Sequence, residues 1–331
     1  MTAFSGRRIS IGLGLQTKEG AQADPGYWFS TTDRSFSRGI EKITNESSIG
    51  SRYKLQSHKI VRDHGTGNFV GLVNPDNIPV LLTAILGGGI SSSKAGSAST
   101  LVGTHVIKNA DSTQTPTFST WLQTPPYNEQ FVDCRAGSLN FTANANDFLM
   151  YTFEFMGKTP KTVETAKTVS YNEPEQFASG NIEMKNGATL TAITNSTDPL
   201  KTKSMNLTID GDLEGYGTLT STDYETFVAK TLGCTGQFTI LFEDTDIRDI
   251  WVKNNVIALK LTAISDLKIG TTSTPFSIEF DFAKVRLTNV TENRGTDDIQ
   301  ELAVDFAVEA NEGTNLQSIQ VTVKNNKESY A

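Results

Sequence analysis

Large apolar side chains recur at every second residue through much of the chain, and that period of two marks strands with one buried face. The clearest run is Leu149-Met150-Tyr151-Thr152-Phe153-Glu154-Phe155, and Phe276-Ser277-Ile278-Glu279-Phe280-Asp281-Phe282 matches it. The same reading predicts strands at 36–43, 53–61, 104–108, 117–122, 203–209, 217–219, 302–309 and 319–323. Residues 137–143 and 148–156 read as a hairpin. His64–Val73 reads as a turn and a strand that lead into one helical segment. There Asn74 caps, Pro75 takes the first position, and Ile78, Leu81, Leu82 and Ile85 share a face up to Gly87. Pro79 is expected to delay or distort the start of this helix.

Between these elements the pattern weakens. Residues 1–35, rich in Gly and turns, read as an extended arm with one short strand at Ile9–Leu15, free to clasp a neighbour. Gly87–Thr104 reads as a long Gly/Ser loop. Residues 157–176 are polar, hold two prolines, and read as a linker. The expected units are therefore 36–156 and 177–331.

The second unit replays the first. Thr66-Gly67-Asn68-Phe69 returns 169 residues later as Thr235-Gly236-Gln237-Phe238. Without a gap, Leu72 meets Leu241, Val73 meets Phe242, Ile78 meets Ile247, Leu81 meets Ile250 and Leu82 meets Trp251; only Ile85 breaks the match, facing Asn254. A turn, a strand and a helix face recurring in step predict a duplicated unit. The fold class is mainly β: two tandem sandwich or half-barrel units, each an antiparallel sheet with one short α-helix on a face. One helix cannot cover both faces of a sheet, so sheet surface and edges are left for other chains.

Composition narrows the chemistry. The 331 residues carry a net charge of −8, from 37 acidic against 29 basic side chains, which argues against a nucleic-acid grip. It does not exclude a surface that nucleic acid must slide past. Cys134 and Cys234 make no disulfide framework and read as free thiols. The N-terminal stretch has no long apolar run, so neither a signal peptide nor a membrane span is expected. His58, His64 and His105 stand in no metal or triad spacing, and no complete phosphate loop occurs; neither a catalytic site, a cofactor nor a metal is expected. Asp210-Gly211-Asp212-Leu213-Glu214-Gly215 starts like a calcium loop, but Ser221 stands where the bidentate Glu belongs, so a turn is the better reading. Asp244 and Asp246 favour the start of a second helix. Glu154, Glu279 and Asp281 alternate with large apolar residues and face either solvent or an enclosed aqueous space.

The order of these features resembles the tail tube proteins of long-tailed bacteriophages. The resemblance is carried by Ser47–Arg52, Thr66–Gly89, Ser138–Gly157 and Val321–Asn325. It implies a structural virion subunit, assembled in the host cytoplasm, whose rings stack into a hollow tail tube conducting DNA, with other tail proteins at the tube ends. A ring of six tube domains closes with three chains when each carries two, giving pseudo-sixfold rings. About four inner strands per domain, ~4.8 Å apart and tilted ~40°, give a barrel roughly 48 Å across, wide enough for a duplex. The resemblance makes Glu154, Glu279 and Asp281 candidates for the lumen. It makes Gly88, Ser92, Lys94 and Ser97, with the arm, candidates for ring-to-ring contact. Two other readings stay open: another particle or decoration component, and a carbohydrate-binding β-sandwich, for which Tyr27, Trp28 and Trp121 are the aromatic candidates.

Overall fold

The computed structural model describes residues 6–47, 52, 53, 55, 57–110, 115–124, 127–172, 175–194, 198–293, 295, 299–311 and 318–330. Residues 1–5 of the expected arm, 48–51 of the Ser47–Arg52 stretch, 54 and 56 of the strand expected at 53–61, and 173–174 of the expected linker lie outside the described residues.

Strands β1 (Ser10–Leu15), β2 (Tyr27–Phe29), β3 (Asp33–Arg34), β4 (Ser37–Asn45) and β5 (Ser57–Leu72) precede helix α1 (Ile78–Leu86). A hairpin of β6 (Gly87–Ala95) and β7 (Val102–Asn109) follows, then β8 (Phe118–Thr124), the long β9 (Tyr127–Asn144), β10 (Met150–Gly157) and β11 (Lys161–Val163). The second half holds β12 (Ile182–Gly187), α2 (Leu190–Thr194), β13 (Thr202–Asp210), β14 (Leu213–Gly217), β15 (Tyr224–Ala229) and β16 (Gly233–Leu241). After α3 (Asp246–Val252) come β17 (Val256–Lys268), the long β18 (Pro275–Asn293), β19 (Glu301–Val308) and β20 (Ile319–Asn325).

The backbone of the fold is one antiparallel run, β4–β5–β10–β9–β13–β16–β19–β18. It crosses from the first half to the second without a break, because β9 pairs directly with β13. Strands β9 and β18 are long enough to serve two layers. The first part of β9 leaves the run to pair with β8 and β11, and β8 continues to β1 and β2. The first part of β18 pairs with β17 and β20, which continue to β12 and to β7–β6.

The core lies between the run and these outer strands. Alternation sends Phe69, Leu139, Phe141, Phe153, Phe155, Leu207, Phe238 and Val304 inward, all at most 2% exposed. Phe118 of β8 meets Phe153 and Phe155 at 5.9 and 5.5 Å, and Phe280 of β18 meets Phe141 at 5.0 Å. Burying one such ring contributes roughly 1.5–3 kcal/mol. The recurring glycine of the Thr-Gly-x-Phe motif has a steric cause. A Cβ on Gly67, whose φ is +133°, would stand 2.7 Å from the Phe36 backbone, and one on Gly236 would stand 2.4 Å from the Phe306 ring.

Most expected strands are present, and the differences have physical reasons. The helix begins at Ile78, because Asn74 instead closes an Asx turn (Oδ1 accepts from the Asp76 N–H at 2.8 Å), and Gly87 ends it at φ 75°. All nine of its residues are buried, so the helix is enclosed rather than one-sided. The arm is not free: β1 pairs with β8 and β2, and Ile11, Leu13, Trp28 and Phe29 enter the core. Segment 87–104 is not a loop, since β6 and β7 pair from Gly87↔Asn109 to Ala95↔Val102. Serine and glycine hid a strand whose edge position asks little of its side chains. Segment 157–176 contributes β11 to the sheet and is otherwise irregular over its described residues.

Candidate functional site

The face of the central run that points away from the core is the most distinctive surface of the molecule. Its side chains form rows across the strands. One row is Asn68, Glu154, Ser138 and Asp210. The next is Val70, Thr152, Asn140, Thr208 and Thr235. The third is Thr142, Asn206, Gln237, Asp305 and Asn289. The middle of these rows holds three carboxylates among hydroxyls and amides; at the margins the second row continues through Ala307 to Arg286, the third through Met150 to Leu72, and Lys203 pairs with Glu301 at 2.6 Å.

The rows are tied laterally by hydrogen bonds. The Asn140 amide donates to Asn206 Oδ1 and Thr208 Oγ1, each at 2.7 Å, across the junction of the two halves. Gln237 and Asn289 both donate to Asp305, at 2.6 and 3.1 Å, and Ser138 donates to Glu154 at 3.3 Å. The middle of this surface is polar, acidic and preorganised, and the cations at its margin, Lys203 and Arg286, are engaged by Glu301 and Glu309. It has no grouping for bond chemistry, and among the described residues no cluster of His, Cys, Asp and Glu is arranged for a metal.

Glu154 thus stands on this face. Glu279 and Asp281 do not join it. They lie on the first part of β18, between β17 and β20, and both meet Lys260, at 2.8 and 3.6 Å. Burial, reinforced by Glu279, raises the Asp281 pKa despite Lys260. Asp210 and Asp305 escaped the sequence reading. The alternation of Leu302, Val304 and Phe306 already exposed Asp305, while Asp210 was absorbed into the turn reading of its glycine-rich neighbourhood. That turn is present between β13 and β14, with Lys230 near Asp212 and Glu214 at 3.3 and 3.1 Å.

Gly88, Ser92 and Lys94 lie on β6, and Ser97 lies in the turn beyond it. Ser92 Oγ bonds His105 Nδ1 at 2.8 Å, and Lys94 pairs with Glu328. The hairpin tip docks on the β17–β18 turn, where the Ser99 carbonyl accepts from the Thr271 N–H at 2.9 Å. Its strand β7 lies along β20. His105 Nε2 meets Asn325 Oδ1 at 2.9 Å, and Asn325 reaches the Pro75 carbonyl at 2.9 Å, pinning the C-terminal segment to the turn before α1. In that turn Asp76 is fully buried; Lys327 donates to its carbonyl at 2.9 Å and Asn172 to its carboxylate at 2.6 Å. Trp28 and Trp121 are buried and Tyr27 stacks on Tyr330, so these aromatics do not form the exposed cluster that a glycan platform needs.

Residues 6–326 match the model of a protein family described as phage tail tube protein. No curated protein matches the chain.

Proposed function

The chain belongs to the phage tail tube protein family, whose members are structural components of the virion tail that assemble with themselves and with other tail proteins, and from this premise we propose that it forms stacked trimeric rings of a hollow tube conducting DNA. The observation that carries this reading is the polar, acid-bearing middle of the central run's outward face, whose marginal bases Lys203 and Arg286 are paired with Glu301 and Glu309. A wall of this kind repels phosphates and leaves a passing duplex nothing to grip.

Each half supplies four strands to the run, and the two sets are paired alike: β4–β5–β10–β9 and β13–β16–β19–β18. This supports a duplicated tube unit, and with it rings of three chains and about 24 strands, roughly 48 Å across. Glu154 is our candidate for the lumen, joined by Asp210 and Asp305; Glu279 and Asp281 belong with the outer strands. The hairpin carrying Gly88, Ser92, Lys94 and Ser97 is the candidate for ring-to-ring contact, and assembly takes place in the host cytoplasm. Negative-stain electron microscopy with mass photometry tests the reading. Hollow tubes or three-chain rings are expected, and a monomer persisting at high concentration would overturn it.

A further inference from the structure

The two halves are paired alike residue by residue, and this correspondence leaves two edges unmatched. Adding 169 to Thr66 and Val70 of β5 gives Thr235 and Thr239 of β16. Ser37 pairs with Thr66 and Asp33 with Val70, as Thr208 pairs with Thr235 and Ser204 with Thr239. On the other flank, Asn68↔Glu154↔Ser138 corresponds to Gln237↔Asp305↔Asn289. So β3–β4 corresponds to β13, and the last part of β18 corresponds to the last part of β9.

Inside the chain, β9 and β13 pair with each other: Ser138↔Asp210, Asn140↔Thr208 and Thr142↔Asn206. Their counterparts do not pair with anything further. Among the described residues, β4 has a strand neighbour only in β5, and residues 287–293 of β18 only in β19. Resting on the ring reading above, we propose that β4 of one copy pairs antiparallel with β18 of a second copy, in the register of the internal junction: Gly39↔Asn289, Ser37↔Thr291 and Ser35↔Asn293.

A second observation points to the same partner. The hairpin β14–β15, which follows β13, folds over the first half. Phe227 is 1% exposed, the Asp63 N–H donates to the Thr222 carbonyl at 2.9 Å, and Tyr224 meets His64 edge-on at 5.2 Å. The outer part of the β4–β5 hairpin holds the corresponding place in chain order. It has no such cover: Ile40, Ile43 and Ile60 are 45, 58 and 47% exposed. Natural edge strands are usually guarded against pairing by charge; here Glu41 and Lys42 stand between exposed Ile40 and Ile43, which are left for a partner to cover. On the receiving side, the counterpart of Asp63 is Leu232, 40% exposed, which lines a cavity of about 250 Å³ with Val308 and Ile319. The isoleucines of one copy cover that cavity on the next.

Paired cysteines test the register. Facing Cα atoms in an antiparallel pair lie about 4.5–5.5 Å apart, within disulfide reach, whereas a diagonal partner two residues away does not. The native Cys134 and Cys234 are buried, with thiol pKa values pushed by burial to about 12, and stay silent. On mild oxidation of assembled protein, the double variant Ser37→Cys, Thr291→Cys should give two- and three-chain bands on a non-reducing gel. Ser37→Cys with Asn289→Cys should give few. Tubes without the first cross-link, or with the second stronger, would overturn the seam and leave the tube reading intact. Wild-type chains that never assemble would overturn both. As an independent measurement, Ile43→Asp should leave the melting transition unchanged and reduce ring yield at least tenfold; undiminished assembly would sink the proposal.

Discussion

Asp76 shows how much one side chain can carry. Burial pushes its pKa from 3.8 up to about 6, against the opposing pull of Lys327 and the Asn172 hydrogen bond. The folded chain therefore keeps a proton there at pH values where the unfolded chain has lost it. The stability this group contributes is complete below about pH 4 and is lost as pH rises through 6, by about 3 kcal/mol. Asp76→Asn should remove that dependence, so the melting temperature of the wild type relative to the variant should fall between pH 4.5 and 7.5. A constant difference would show that the carboxylate is not the cause. Nothing in the sequence marked Asp76, which reads as a helix-start residue beside Pro75. Its burial comes from Tyr330 and Lys327, at the opposite end of the chain. Glu154 was legible because a short period fixes which side of a strand a residue takes. Glu279 and Asp281 show the limit: alternation fixes a side but not the layer to which the strand belongs.

At the scale of elements, the long strands were the hardest to read. Each of β9 and β18 changes neighbours midway, with a register shift in the β8–β9 pairing between Phe118 and Thr120 of β8 and one in the β18–β19 pairing between Leu287 and Asn289 of β18. A periodic pattern reports burial on one face and is silent about such a change of partner. The helix was found from Gly87 and its apolar spacing, but enclosure on all sides depends on β6, β7 and β9. Strand β6, and with it the hairpin, was missed because glycine and serine carry weak strand preference, although most of β7 was expected at 104–108. Deleting 90–102 removes most of β6 and the tip while sparing most of β7. The shortened chain should stay folded, by circular dichroism, and fail to form tubes in the electron microscope. Normal tubes would refute a stacking role for the hairpin.

For the whole molecule, the mainly-β class and the family were within reach of the sequence, whereas the unbroken passage of the sheet through β9 and β13 was not. No local signal announces that pairing, because each strand looks complete beside its own hairpin partner. The continuous polar face gives a prediction at this scale. Glu154→Lys with Asp305→Lys replaces two of its three acids by bases without touching the core. Tubes of this variant should still form and should retain duplex DNA at low salt, releasing it as salt rises. Wild-type tubes should retain none by the same sedimentation assay. Equal retention would mean that the face does not line the channel.

The pairing of β20 with β7 also has a consequence for the order of events in the cell. His105 is bound by Asn325, 220 residues later in the chain. A ribosome delivers the hairpin long before it delivers the strand that lies beside it, so the first half must wait, with one edge of β7 unpaired, until β20 has been made. The first half is completed only when β20 is laid beside β7, and a nascent chain cannot be finished piece by piece.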